Sequence, residues 1–542
     1  MNKFYKYIVC AAVAVLLSMG LNSCVKDLDV EPIDPALQSD VTPEQLFNKC
    51  YANLAVQGNG GSDGDCDIDG IDGGFSVLYR MLWNANELTT DEAMCKWGDP
   101  GIEPLNKNGY DASNPFLEGL YYRLYTGIAF CNQYMTAFGD YDETMTAEVR
   151  FLRAFQFYIL MDCFGNVPFT PEVSGGKAEQ ISRADLFDYI EEELLAVEPN
   201  MSQPKAKKSS DDGYGRADKA ACWMVLARLY LNSQVYNGTT QWEKAAEYAK
   251  KVIDSDYRIL ERSKGNDTWS AYQMLFMGDN GETDAAYEAI LPIMYDGLRT
   301  TSWGGSLFLM ASTYDGNMHG NPNDPIATNG VSGQNWEGNR ARPQLVKLFF
   351  NNIEAPVGEA YEVAKSAGDD RALFNTVDRI IDIIDNNNFQ NGFAVGKFNN
   401  FKTDGSAGHH SVHPDADVFL IRKAEAYLTY AEALTRSAGS GAAAPAAAVD
   451  AINVLRKRAG ATEKASYSLN DILDEWSREF YFEGRRRIDL IRFGKFGGNT
   501  DYKWQWKGGD FNGRDFPEYR NIFPIPTKDI TANEKLKQNP GY

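Results

Sequence analysis

The chain has 542 residues, with 75 acidic against 53 basic side chains and a formal net charge of −22 at pH 7. That balance excludes nucleic acid and anionic lipid headgroups as principal partners, since both would be repelled, and it suits a well-solvated body with a neutral ligand. The length is ample for one large core or several smaller ones.

Targeting chemistry comes first. Lys3 and Lys6 precede an apolar run from Ile8 to Leu17, and Leu21-Asn22-Ser23-Cys24 follows. A basic end, a short apolar stretch and small residues before a cysteine make a secretory signal. The run is too short to span a bilayer permanently. Its ending resembles a bacterial lipobox, in which the cysteine becomes the acylated N-terminus. The expectation is a signal peptide over 1–23, lipidation at Cys24 and an extended tether over 24–42, with Pro32 and Pro35 in it. The acidic stretch Val25–Glu31 resembles a surface-export signal of Bacteroidetes lipoproteins, and the resemblance implies exposure at the outer face of an outer membrane. Several acyl chains on one cysteine anchor stably. Cys50, Cys66, Cys95, Cys131, Cys163 and Cys222 remain, scattered and without a Cys-x-x-Cys pair, so nothing demands a disulfide framework.

Helical patterns follow. Thr42 and Pro43 open a helix to Val56 with good start chemistry. Residues 57–74 form a Gly/Asp loop. Residues 114–137 and 144–164 make a helical hairpin that stops at Gly165, with Pro168 preventing resumption. Helices are expected over 183–197, 216–233 and 241–254, and again over 419–436 and 445–459. Their apolar faces mix alanine with aromatic rings, so neighbouring helices can approach closely. Such pairs resemble degenerate tetratricopeptide repeats, which stack into a curved scaffold. The scaffold is expected mainly over 114–259 and 417–460. Residues 57–113 and 260–416 are rich in Gly, Asn, Asp and Ser. Long irregular loops on a rigid frame are where binding groups sit.

Three tryptophans stand out in those loops. Trp97 lies in Lys96-Trp-Gly-Asp-Pro-Gly101, Trp303 in Thr300-Thr-Ser-Trp-Gly-Gly305 and Trp336 in Gly333-Gln-Asn-Trp-Glu-Gly338. None belongs to an apolar periodicity. An indole so placed either folds back on the protein or meets a ligand. A sugar suits the second case, because its C–H face packs on a ring while its hydroxyl rim wants hydrogen bonds. Asp279, Asn280, Glu282 and Asp284 are dense in oxygen and could hold calcium, though they lack the twelve-residue EF-hand pattern and a capped loop competes. His409, His410 and His413 could bind zinc, but no helical spacing accompanies them and a plain loop is favoured. Glu479 with Glu483, one turn apart on one helix, and Arg486 with Asp489 read as ties between helices.

Several segments resemble the SusD/RagB family of outer-membrane nutrient-binding lipoproteins. They are Glu148–Tyr158 with Phe164-Gly-Asn-Val-Pro-Phe169, Gly215–Ala221 continuing to Ala227–Leu231, Arg422–Leu434, Glu479–Gly494, and Phe523-Pro-Ile-Pro526 with Gln538–Tyr542. They run in order along the whole mature chain. The likeness extends to the family's starch-binding member through Asn86–Glu92, Leu291-Pro-Ile293, Gly304-Gly-Ser306, Thr328-Asn-Gly330 and Trp504–Gly509. The resemblance implies a mostly α, single large domain over 43–542, built on tetratricopeptide-like helix pairs with long irregular ligand-binding loops. It also implies a non-catalytic role: capture of a starch-like α-glucan and delivery to a SusC-type TonB-dependent transporter. Carried over residue by residue, the aromatic glycan-binding positions fall on Trp97, Trp303 and Trp336 and the polar ones on Arg80 and Asp72. An asparagine of the starch-binding member falls on Pro100, and one of its tyrosines on Trp303, so a fructan or another neutral glycan is an alternative ligand. Two other classes compete with a binding protein. A glycoside hydrolase needs paired carboxylates across the bond, and no segment presents them in such a context. A tetratricopeptide adaptor would grip peptides on its helices.

Overall fold

The computed structural model of the chain describes residues 41–324, 326–350 and 354–542. The expected signal peptide, Cys24 and all but the last two residues of the expected tether lie outside the described residues. Helix boundaries follow capping chemistry. Thr42 Oγ1 accepts from the Gln45 N–H ahead of helix Pro43–Ala55. Helix Pro115–Phe138 starts behind Asn114, whose side chain accepts from Phe116 and Leu117 N–H. Helix Glu143–Phe164 starts behind Asp142 and ends at Gly165, at φ 68°. These oxygens satisfy amides that the first turn leaves without partners.

The helices stack in sequence. Pro115–Phe138 packs on Glu143–Phe164, which packs on Arg183–Val197. Lys219–Leu231 packs on Trp242–Ile253, that helix on Ala424–Ser437, and that in turn on Ala446–Arg458. Ala245, Ala249, Ala431 and Ala433 are fully buried and let these axes approach. The fold is thus mostly helical, with four short two-stranded antiparallel ladders among the described residues. Phe47–Tyr542 form one compact unit. No described helix is long and apolar enough to cross a membrane. All six described cysteines are free, five of them buried.

Three expectations are corrected. Helix Lys219–Leu231 begins later than residue 216, because Asp218 caps it by accepting from Ala220 and Ala221 N–H. The helix expected over 419–436 begins only at Ala424, and Val418–Arg422 is a strand paired with Ala289–Ile293. A short apolar run such as Val418-Phe-Leu-Ile421 has no periodicity to separate strand from helix, and its partner 125 or more residues away decides. Glu479 and Glu483 do not share a helix. Helix Leu469–Phe480 ends first, Phe482 turns the backbone at φ 64°, and helix Arg486–Arg492 follows.

The two glutamates nevertheless tie the frame together. Arg422 donates from Nη1 to Glu479 at 2.7 Å and to Glu288 at 3.0 Å, and from Nε and Nη2 to Glu483 at 2.8 Å each. Arg458 pairs with Glu479 and, at 3.0 Å, with Glu288. Arg371 reaches Glu475 at 3.2 Å and Glu479 at 3.4 Å. All of these groups except the partly exposed Glu483 are buried. Charges taken out of water destabilise unless each is paired, so losing one member costs about 3–5 kcal/mol.

Burial alone would raise the Glu479 carboxyl. The guanidinium groups of Arg458, Arg422 and Arg371 outweigh it and hold the group down at about 2. The same opposition, with Arg485 and Arg492, holds Asp489 at about 2. Because the folded value is depressed, the stabilisation is present above the ordinary carboxylate value and is lost as pH falls. Acid titration should therefore unfold the protein progressively between pH about 4.5 and about 2. Glu479→Gln should lower the unfolding free energy at pH 7 by roughly 3 kcal/mol in chemical denaturation. A variant as stable as wild type would contradict this account of the network.

Candidate functional site: a tryptophan platform

The site is assembled by one short ladder. Ala93–Cys95 pairs antiparallel with Asn339–Ala341, in the register Cys95 opposite Asn339. The pairing continues one step further, with Lys96 N–H donating to the Gly338 carbonyl at 3.0 Å. This brings Trp97 beside Trp336, although they are far apart in sequence. Their ring centroids are 6.2 Å apart and the planes are inclined by 52°. The Trp97 indole N–H donates to the Trp336 carbonyl at 3.0 Å. Gly338 is required here, since a Cβ on it would lie 2.4 Å from the Trp97 ring.

The third ring comes from the segment before helix Ser306–Ser312. Trp303 lies 6.4 Å from Trp336, inclined by 36°. Gly305 lets this segment lie against Tyr295, where a Cβ would approach to 2.1 Å. The helix then floors the whole platform. Leu307 and Ala311, with Val331, support Trp303 and Trp336, and Phe308 lies 6.4 Å from Trp97. Segment 336–338 is fastened along the same helix, with Trp336 N–H donating to Ala311 at 2.7 Å and Gly338 N–H to Ser312 at 2.8 Å.

All three indoles are half-buried, and each has its N–H engaged within the protein. Trp303 donates to the Ser62 carbonyl at 3.1 Å and Trp336 to Gln334 Oε1 at 2.9 Å. A polar handle held inward fixes the ring, and what remains to offer a ligand is aromatic surface. Neighbouring planes are inclined, so the three rings do not form one flat sheet.

Polar groups flank the rings. Arg80 lies against Trp97, with its guanidinium carbon 5.4 Å from the ring and 4.9 Å from Phe308. Its Nη1 donates to the Gly74 carbonyl at 3.1 Å, while Nε is buried without a partner. Burial pulls the guanidinium down to about 10, with Cys95, Asp99 and Asp72 pulling the other way, so it stays charged at neutral pH. Asp72 is exposed, and its Oδ1 accepts from Gly74 N–H at 2.8 Å. Gly74 in turn adjoins Trp303. The structure therefore brings Trp97, Trp303, Trp336, Arg80 and Asp72 into one neighbourhood.

Two neighbours, Lys96 and Glu337, carry no sequence signal of their own. Lys96 pairs with Glu337 at 2.8 Å, and Glu337 sits at φ 50° between Trp336 and Gly338. His413, from the loop read as a plain surface turn, stands edge-on to Trp303 at 5.2 Å and places Nε2 3.1 Å from Ser62 Oγ. Burial and the adjacent His410 lower its pKa, leaving it neutral at pH 7. Only a clue existed here: the histidines were conspicuous, but nothing local told which loop they would touch.

Each residue considered for calcium has another partner, although Asp279 Oδ1 is buried without one. Asp279 accepts from Thr403 N–H at 2.9 Å, Glu282 pairs with Lys402 at 3.2 Å, and Asp284 is held by Lys208 and Lys264 at 2.9 Å each. Asn280 joins Leu275 to Asp417 in the interior. Among the described residues, no three His, Cys, Asp or Glu groups are arranged to hold a metal ion.

Comparison with known proteins agrees with this architecture. The sequence model of the SusD family matches residues 198–542. A relative, starch-binding protein SusD of Bacteroides thetaiotaomicron, is 38% identical over 583 aligned positions, covering 100% of both chains. Among solved structures, surface glycan-binding protein A from Bacteroides uniformis has a TM-score of 0.66 at 20% identity, covering 92% of this chain and 98% of its own. Surface glycan-binding protein A from Bacteroides thetaiotaomicron in complex with laminarihexaose has a TM-score of 0.64 at 20% identity, with the same coverage. These two likenesses concern the fold. Matched by the family model over more than half its length and by one relative from end to end, the chain belongs to the SusD family.

Proposed function

We propose that this protein is a cell-surface glycan-binding lipoprotein. It captures a starch-like α-glucan on Trp97, Trp303 and Trp336 and passes it to a SusC-type TonB-dependent outer-membrane transporter. No bond is cleaved. The observation that carries this reading is the continuous series of three indoles, rigidly held and inclined to one another by 52° and 36°. A flat, ribbon-like chain cannot lie against all three faces. A glucan that coils can present successive C–H faces to successive rings, and Arg80 and Asp72 stand where hydroxyl groups would pass. The relative that aligns over the whole chain is named for starch binding, which favours the same ligand. Acylation at Cys24 would tether the domain to the membrane.

The binding is of modest strength. Each sugar hydroxyl gives up hydrogen bonds to water as good as those it gains, so net contributions are small. Ring stacking then supplies most of the affinity. Calorimetric titration with maltoheptaose should show Trp97→Ala and Trp336→Ala each weakening binding about tenfold, or 1.4 kcal/mol, with an unchanged unfolding midpoint. The double variant should bind hardly at all, and one that bound like wild type would rule out the platform. Gly338→Ala keeps every indole but forces the Trp97 ring aside, so it too should lose most of the affinity; full affinity would contradict the role of ring placement. Protease added to intact cells should degrade the protein. Protection until the outer membrane is permeabilised would place it in the periplasm instead.

A further inference from the structure

Beside the platform lies a larger void. A cleft of about 580 Å³ opens between the C-terminal half of helix Pro43–Ala55, the loop around Gly58–Asp63 and residues 292–301. That volume falls within the range of small-molecule ligand sites. By contrast, the cavity beside Arg228 and Arg422 holds only about 70 Å³ and is walled by ion pairs.

The cleft and the platform share a wall. Thr301 lines the cleft, and its Oγ1 bonds Ser62 N–H at 3.2 Å and Ser62 Oγ at 3.1 Å. The carbonyl of the same Ser62 anchors the Trp303 indole at 3.1 Å. One ridge, Ser62–Thr301, thus separates the last ring of the platform from the cleft.

The lining indicates what would fit. Met294 is 42% exposed and Leu298 61% exposed, and both line this cleft. Isolated exposed apolar side chains are ordinary, but two in one ligand-sized recess leave apolar surface there without a cover. The charges nearly balance. Lys49 is paired with Asp67 at 3.2 Å, and the other charged lining residues are Asp63 and Arg299, one of each sign. An anionic or cationic ligand has no matching field to bind, whereas a neutral polyol can use Arg299, Asp63, Asn59 and Thr300 at its hydroxyls and the apolar surface at its C–H faces.

We infer that this cleft is a second subsite that takes further sugar units of the same neutral glycan chain beyond Trp303. The inference rests on the glycan-binding reading above. It predicts that affinity grows with chain length through contacts the tryptophans do not make.

Calorimetric titration of the full chain with maltotriose and with a longer amylose fragment tests it. Two variants are used: Ala52→Trp, which fills the cleft, and Leu298→Asp, at a position exposed enough not to threaten folding. Each should weaken binding of the long fragment about tenfold and leave maltotriose within about twofold of wild type. If wild type binds the sugars and both variants bind the long fragment equally well, the cleft is not a subsite and the platform stands alone. If wild type binds neither sugar, the α-glucan reading fails, and this inference with it.

Discussion

Irregular backbone can be packed inside a protein only if its carbonyl groups find donors. In this fold buried guanidinium groups meet that requirement. Arg342, fully buried, donates to the carbonyls of Ala93, Leu88 and Asn106 at 2.8, 3.3 and 2.7 Å and to that of Gln505. Arg340 donates to Asn391, Gly338 and Asn386, and Arg123 to Ser76 and Gln57. Burial pulls Arg340 down to about 10 and Arg342 to about 9, yet both remain protonated near neutrality. Each pins together stretches of loop that share no regular hydrogen-bond ladder beyond three residues.

The platform depends on those pins. Arg342 fastens Ala93 from behind, and Arg340 fastens Gly338, on either side of the ladder that sets Trp97 against Trp336. In the proposed function, rings held this way would lose little freedom on docking a ligand, which would limit the entropic cost of binding. The helical stack has a different task. Its buried charge network, centred on Arg422 and Glu479, holds the helices and the strand Val418–Arg422 in place, and the loops are carried on that frame. The stability of the frame and the placement of the three rings are thereby divided between two sets of arginines.

Much of this was legible in the sequence because it is local. Thr42 and Pro43 mark a helix start by side-chain chemistry, and Gly165 marks an end. The three indoles were conspicuous by lying in Gly-rich turns outside any apolar period. What was hidden is non-local. Nothing around Ala93 announces a strand partner at Ala341, and Val418–Ile421 reads equally well as the start of the helix that follows. Arg340 and Arg342 look like ordinary surface arginines in Asn339-Arg-Ala-Arg-Pro343, and only the fold reveals that they are buried among carbonyls. His413 likewise gained its place against Trp303 from a contact spanning more than a hundred residues.

The proposed function depends on the outward faces of three indoles being a carbohydrate surface. A crystal structure of the protein with maltoheptaose measures this directly. Successive glucose rings should lie on Trp97, Trp336 and Trp303, with hydroxyl groups within hydrogen-bond distance of Arg80 or Asp72. Sugar bound elsewhere, with all three rings bare, would contradict it.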